Sequence, residues 1–93
     1  MPKRIKVKPT PDLNQPLTAK LLGEVISARR TQSHLRLEDT AQLCGLAKQT
    51  LMRIEHGEES CQFDTILQVC KQLGIKLSIL PWQQSDNQHD EWH

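Results

Sequence analysis

Residues Leu35–Gly57 read LRLEDTAQLCGLAKQTLMRIEHG, and the spacing of small, apolar and polar residues in this stretch decides the fold. Ala41 is small where two helices have to cross closely, and Gly45 falls where the chain leaves the first helix, a place where left-handed backbone is cheap only for glycine. Leu46, Leu51 and Ile54 supply the apolar contacts that lock the pair. The pattern predicts a helix over about Leu37–Cys44, with Glu38 and Asp39 in its first turn where negative charge suits the macrodipole. A second helix is predicted from Ala47 or Lys48 to His56, stopping at Gly57. Leu51 and Ile54 lie one turn apart and face inward, so Lys48, Gln49, Met52 and Arg53 share the outer face.

Upstream, Thr18 stands just after Pro16 and can cap a helix that runs to about Thr31, with Leu22, Val25, Ile26 and Arg29 as its inner stripe. Downstream of a polar link over 58–62, Phe63, Ile66, Leu67, Cys70 and Leu73 repeat at helical spacing and end at Gly74. The period then changes to two: Ile75, Leu77 and Ile79 alternate with Lys76, Ser78 and Leu80 before Pro81, which predicts a short strand. A lone strand leaves its backbone N–H and C=O groups unpaired, so it needs a partner. That partner is either the same strand of a second copy across a twofold axis, or the segment around Ile5–Lys8, where Ile5 and Val7 alternate.

Ninety-three residues suffice for one small domain with tails. With one Phe and no Tyr, its core must be aliphatic. The net charge of +1 conceals a gradient. Lys3, Arg4, Lys6, Lys8 and Lys20 face only Asp12 in the first twenty residues, whereas Asp86, Asp90 and Glu91 close the chain. Pro2, Pro9, Pro11 and Pro16 forbid a continuous helix at the start. The expected organisation is a basic, flexible arm over 1–17, a folded domain over 18–80 and a polar, acidic tail over 81–93. Such an arm follows phosphates, enters a minor groove, or serves as a solvated tail. Cys44, Cys61 and Cys70 form no C-x-x-C pair and no recognisable spacing with a histidine, so they read as reduced thiols, with neither metal nor cofactor expected. No nucleophile elbow, phosphate loop or paired-carboxylate spacing is present, and the chain is not expected to be an enzyme. Without an apolar run of membrane-spanning length, a soluble, cytoplasmic protein is expected.

The two-helix unit has the layout of a helix-turn-helix, and from Ala19 to Ile75 the chain resembles the Xre/Cro-type helix-turn-helix domains of phage repressors and bacterial regulators. LGEVISARR at 22–30 looks like the family's first helix, TAQLCGLAKQTLMRIEHG its central motif and FDTILQVCKQLGI its closing helix. The resemblance implies a mainly α, four- to five-helix, lambda-repressor-like domain that lays its second motif helix in the DNA major groove. The chain departs from the family at three places. Arg36 and Leu37 stand where Ser or Thr and then Gln are usual, so a phosphate-bracing Gln cannot be carried over, and Thr40 replaces a hydrophobic residue.

Under that resemblance Lys48 and Arg53 can donate to guanine O6 and N7, Gln49 can pair with adenine through two hydrogen bonds, and Met52 can pack on a thymine methyl. Thr50, Arg36 and the backbone at the start of the reading helix would anchor phosphates. One of Arg29 and Arg30 is expected to pair within the domain, with Glu55 as its partner. The helix-turn-helix, the short strand after Leu73-Gly74 and the polar tail ending at Glu91-Trp92 are together similar to Hip-type antitoxins. This implies a homodimer joined through Ile75, Leu77 and Ile79, repression of its own operon, and a kinase-type toxin held partly through Trp92. The alternatives are a stand-alone Xre-type regulator, or a toxin-neutralising module whose DNA contact is secondary.

Overall fold

The computed structural model describes residues 5–82, which form four helices: α1 (Ala19–Gln32), α2 (Leu37–Cys44), α3 (Lys48–Glu55) and α4 (Phe63–Leu73). Thr18 caps α1 as the sequence predicts, its Oγ1 accepting from the Leu21 N–H at 3.0 Å. At the other end the chain turns through Ser33 and His34. His34 takes up a left-handed φ of 57°, and the Leu35 N–H returns to the Arg30 carbonyl at 3.1 Å. Gly45 closes α2 with φ 71°, and the Leu46 N–H reaches the Ala41 carbonyl at 2.8 Å.

Leu22, Ile26, Ala41, Cys44, Leu51, Ile54, Val69, Cys70 and Leu73 form one buried cluster drawn from all four helices. Two glycines set how closely α1 and the end of α3 approach. A Cβ on Gly23 would lie 2.5 Å from the Ile54 carbonyl oxygen and 2.6 Å from that of Glu55, closer than any side chain permits. Gly57 combines a φ of 79° with a site where a Cβ would meet the Lys20 Cα at 2.7 Å, so backbone conformation and space both exclude a side chain there. Thr40 is fully buried and its hydroxyl has no hydrogen-bond partner among the described residues, so a polar group fills a core position where the resemblance implies an apolar one.

Arg30 holds this arrangement from within. Its Nε and one terminal nitrogen donate to the two Glu55 carboxylate oxygens at 2.6 and 3.0 Å, and the other terminal nitrogen donates to the Leu35 carbonyl at 2.8 Å. The two side chains retain only 11% and 7% exposure. The pairing expected with Glu55 therefore belongs to Arg30. Arg29 is not part of the inner stripe: it stands at the surface and its Nε donates to the Leu73 carbonyl at 3.0 Å, which ties α1 to the end of α4.

Helix α4 also departs from expectation. Phe63 and Leu67 are exposed, and Val69, which the apolar repeat passes over, is completely buried. The segment FDTILQVCKQL carries two overlapping apolar rows, and one chain buries only the row containing Val69, Cys70 and Leu73. A fifth helix is absent from the described residues. Residues 75–82 form neither helix nor strand, because a strand is defined by a ladder partner and no segment among the described residues pairs with them. Residues 5–8 are not that partner: Lys8 is hydrogen-bonded to α1 instead. Ile75 and Leu77 pack on the core, whereas Ile79 and Leu80 are 84% and 82% exposed. The three cysteines are free, with Cys44 and Cys70 buried and Cys61 partly exposed. Burial raises the Cys44 thiol and pushes Cys70 up to about 11.

Removing one partner of the Arg30–Glu55 pair leaves a buried charge uncompensated. Arg30→Met is expected to cost roughly 3 to 5 kcal/mol in urea denaturation, and adding Glu55→Leu to recover most of that loss. A single-variant cost below about 1 kcal/mol would show that the pair does not hold α1 to α3.

Candidate nucleic-acid interface

Helix α3 divides cleanly into two faces. Leu51 and Ile54 are buried, and Lys48, Gln49, Met52 and Arg53 are exposed, with Thr50 half-buried beside them. The four outward residues thus stand together on one side of a helix whose other side is fixed by the core. No side chain caps the start of α3, where Ala47 occupies the cap position, so the Lys48 and Gln49 N–H groups point out of the helix without an internal acceptor. Uncapped N–H groups beside a lysine present partial and full positive charge to any anion.

Arg36 is the cap residue of α2 and likewise supplies no capping hydrogen bond. Its guanidinium projects into solvent, 3.9 Å from the Asp39 carboxylate. Glu38 stands in the first turn of α2, within electrostatic reach of Lys48 at the start of α3. Its carboxyl is held below the ordinary range by its own backbone N–H, and then by the nearby positive charges of Lys48, Arg36 and Arg30. The starts of α2 and α3 therefore share one electrostatic neighbourhood.

Sequence reasoning missed one part of this surface. Ser60, Gln62 and Thr65 line a shallow cleft of ≈ 180 Å³ together with Thr50, Arg53 and Cys61. The link over 58–62 reads as a plain connector in the sequence, and only folding brings its hydroxyl and amide groups next to the base of the outward face of α3. Among the described residues no group of histidine, cysteine and carboxylate side chains is arranged to hold a metal ion.

The HTH_3 helix-turn-helix family matches residues 26–80, more than half of the chain. The protein belongs to the Xre-type helix-turn-helix family of DNA-binding regulators. Its fold is similar to that of a chain in the HipA-HipB-O2-O3 complex, with a TM-score of 0.67 at 13% identity over 76% of this chain and 100% of that one. A HipB-O4 20mer complex gives the same values. A complex of a HipB variant with an O2 20mer gives 0.68 at 12% identity, over 77% of this chain and 100% of that one. At such identity the likeness establishes a HipB-like architecture. A comparison with curated protein sequences gives no match.

In this regulator the outward residues of α3 can be told apart from backbone-gripping groups by experiment. If these residues read bases, Gln49→Ala or Arg53→Ala is expected to cost roughly 1 to 3 kcal/mol at one base pair of the bound site and to relax selectivity there. Titration against a panel of operator variants measures this, and equal losses on specific and random duplexes for Arg53→Ala would remove that residue from the readers.

Proposed function

We propose that this Xre-type regulator is a dimeric, sequence-specific repressor that works by occupying its operator, and that it is the antitoxin of a toxin–antitoxin operon. The observation that carries the reading is the two-sided α3, with Lys48, Gln49, Met52 and Arg53 displayed together on a helix locked by Leu51 and Ile54. Arg53 and Lys48 suit guanine O6 and N7, Gln49 suits adenine, and Met52 offers an apolar contact to a thymine methyl. Thr50, Arg36 and the free N–H groups at the head of α3 suit phosphate oxygens. Occupancy alone blocks transcription, so no chemical step is required. Acting on DNA, the protein would work in the cytoplasm; no helix among the described residues is long and apolar enough to cross a membrane.

Dimerisation is supported by what one chain leaves uncovered. After Ile75 and Leu77, which lean on the core, Ile79, Leu80 and Trp82 stand in solvent on a segment of alternating pattern. Antiparallel pairing of this segment with its copy would satisfy the backbone groups and cover Ile79. A dimer also presents two reading helices to half-sites about 34 Å apart. The toxin-binding part of the proposal rests on the similarity to a chain of the HipA-HipB-O2-O3 complex and on the Trp92 tail, which lies outside the described residues.

The test is binding to the promoter of the protein's own operon against a random duplex, with Ile79→Lys as the dimer variant, since Ile79 is too exposed for its replacement to disturb the domain. The wild type should prefer the promoter by at least about 10³-fold, the low end for specific DNA-binding proteins. The variant should sediment as a monomer at micromolar concentration and lose most of that preference. Equal affinity for both duplexes would overturn the repressor reading, and an unchanged dimer would move the interface to the exposed Phe63–Leu67 row of α4.

Deletion of residues 83–93 is expected to leave folding and operator binding intact while weakening co-purification with a kinase-type protein encoded in the same operon. If the deletion leaves that complex unchanged, Trp92 is not its anchor.

A further inference from the structure

The segment that precedes α1 is fastened to the last turn of that helix at one residue. The Lys8 N–H donates to Thr31 Oγ1 at 3.0 Å, and Gln32 Nε2 donates both to the Lys8 carbonyl and to Thr10 Oγ1 at 2.9 Å. The Thr31 hydroxyl is itself anchored, donating to the Ser27 carbonyl at 2.9 Å. Both backbone polar groups of Lys8 are thus engaged by α1, which fixes where the neighbouring side chains emerge.

They emerge beside the head of α2. Lys6 and Lys8 line a cleft of ≈ 390 Å³ with Arg36 and Glu38, and Ile5 and Leu37 supply apolar wall. Arg30 also reaches this cleft, but its guanidinium is committed to Glu55 and to the Leu35 carbonyl. Neither Lys6 nor Lys8 has an ion-pair partner among the described residues, and Arg36 has only Asp39 at 3.9 Å. Three cations therefore surround a cleft whose one lining carboxylate, Glu38, already feels Lys48 at the start of the reading helix. Lys6, Lys8 and Arg36 thus gather at one cleft on the side of α2 that also feels Lys48.

We propose that Lys6 and Lys8, with Arg36, form a clamp for backbone phosphates of the duplex that α3 reads, and that Thr31 and Gln32 are the residues that position it. The proposal rests on the DNA-binding reading and deepens it. Arg36 caps no backbone N–H and Leu37 offers no polar group at the head of α2, so Lys6 and Lys8 from the N-terminal segment add their charge to that of Arg36 and of the uncapped helix start at this point. A clamp of this kind holds the duplex whatever its sequence. Anchoring Lys8 to α1 keeps both lysines at the level of the backbone rather than in a groove.

The experiment measures the salt dependence of binding to operator and random duplexes for the full chain, the Lys6→Ala/Lys8→Ala double variant, Gln32→Ala and Lys8→Arg. These side chains lie at the surface, so thermal unfolding should be unchanged in every variant. For the double variant, loss of two phosphate contacts should make the slope of log K against log salt shallower by about 1.8, so the affinity gained between 200 and 50 mM salt shrinks about tenfold on both duplexes. The ratio of operator to random binding should not move. Gln32→Ala removes no charge, yet it should weaken both duplexes by a common factor, and Lys8→Arg should keep the wild-type slope. An unchanged slope in the double variant, with the wild type still binding its operator, overturns the clamp and leaves the repressor reading standing. A loss confined to the operator overturns it too, placing the lysines in a groove. Failure of the wild type to bind any duplex removes the DNA-binding reading and the clamp with it.

Discussion

The guanidinium of Arg30 is the constraint on which the rest of the domain depends. Three separate pieces of chain converge on it: the last turn of α1, the end of α3 through Glu55, and the turn into α2 through the Leu35 carbonyl. An apolar core of this size fixes which faces are inside but resists sliding of one helix along another only weakly. A fork of directed hydrogen bonds to two acceptors sets the register that oil-like contacts leave loose. The missing Cβ at Gly23 lets the backbones of α1 and α3 come close enough for that fork to close. The proposed readers on α3 would serve only if that helix is held at a defined height and tilt, and the Arg30–Glu55 pair ties its C-terminal end to α1.

Much of this was legible in the amino-acid order because the informative residues act locally. Thr18 caps the helix it precedes, Gly45 and Gly57 stand at left-handed turns, and Leu51 with Ile54 set the facing of α3 by spacing alone. What escaped depends on contacts between distant segments. The choice between Phe63–Leu67 and Val69–Cys70 as the buried row of α4 is made by where α1 and α2 sit, and the apolar repeat contains both answers. Arg29 and Arg30 are adjacent and chemically identical, and only the folded positions of Glu55 and Leu73 assign their roles. The outer face of α3 was readable from spacing. The polar rim of Ser60, Gln62 and Thr65 and the gathering of Lys6, Lys8 and Arg36 were not, since each joins residues from different elements.

Charge shows the same division between composition and placement. A net charge of +1 argues for no particular partner. Folding gathers Lys6, Lys8, Arg36 and Lys48 around the starts of α2 and α3, where helix dipoles add to the side chains, with Glu38 and Asp39 in the first turn of α2 as the nearby counter-charges.

The buried cysteines make opening of the domain measurable in time. Only a thiolate reacts with an alkylating reagent, and at neutral pH Cys70, on the core face of α4 and raised to about 11, presents almost none while the helices stay packed. Cys44 sits on α2 in the same cluster, and its carbonyl accepts from Gln68 of α4 at 2.9 Å. Modification of these two sulfurs would wait on loosening of the α2–α4 packing, whereas Cys61, in the loop before α4, is only partly buried. The protein thus carries a clock for its own breathing: one thiol records the reagent's arrival, and two record how often the core comes apart.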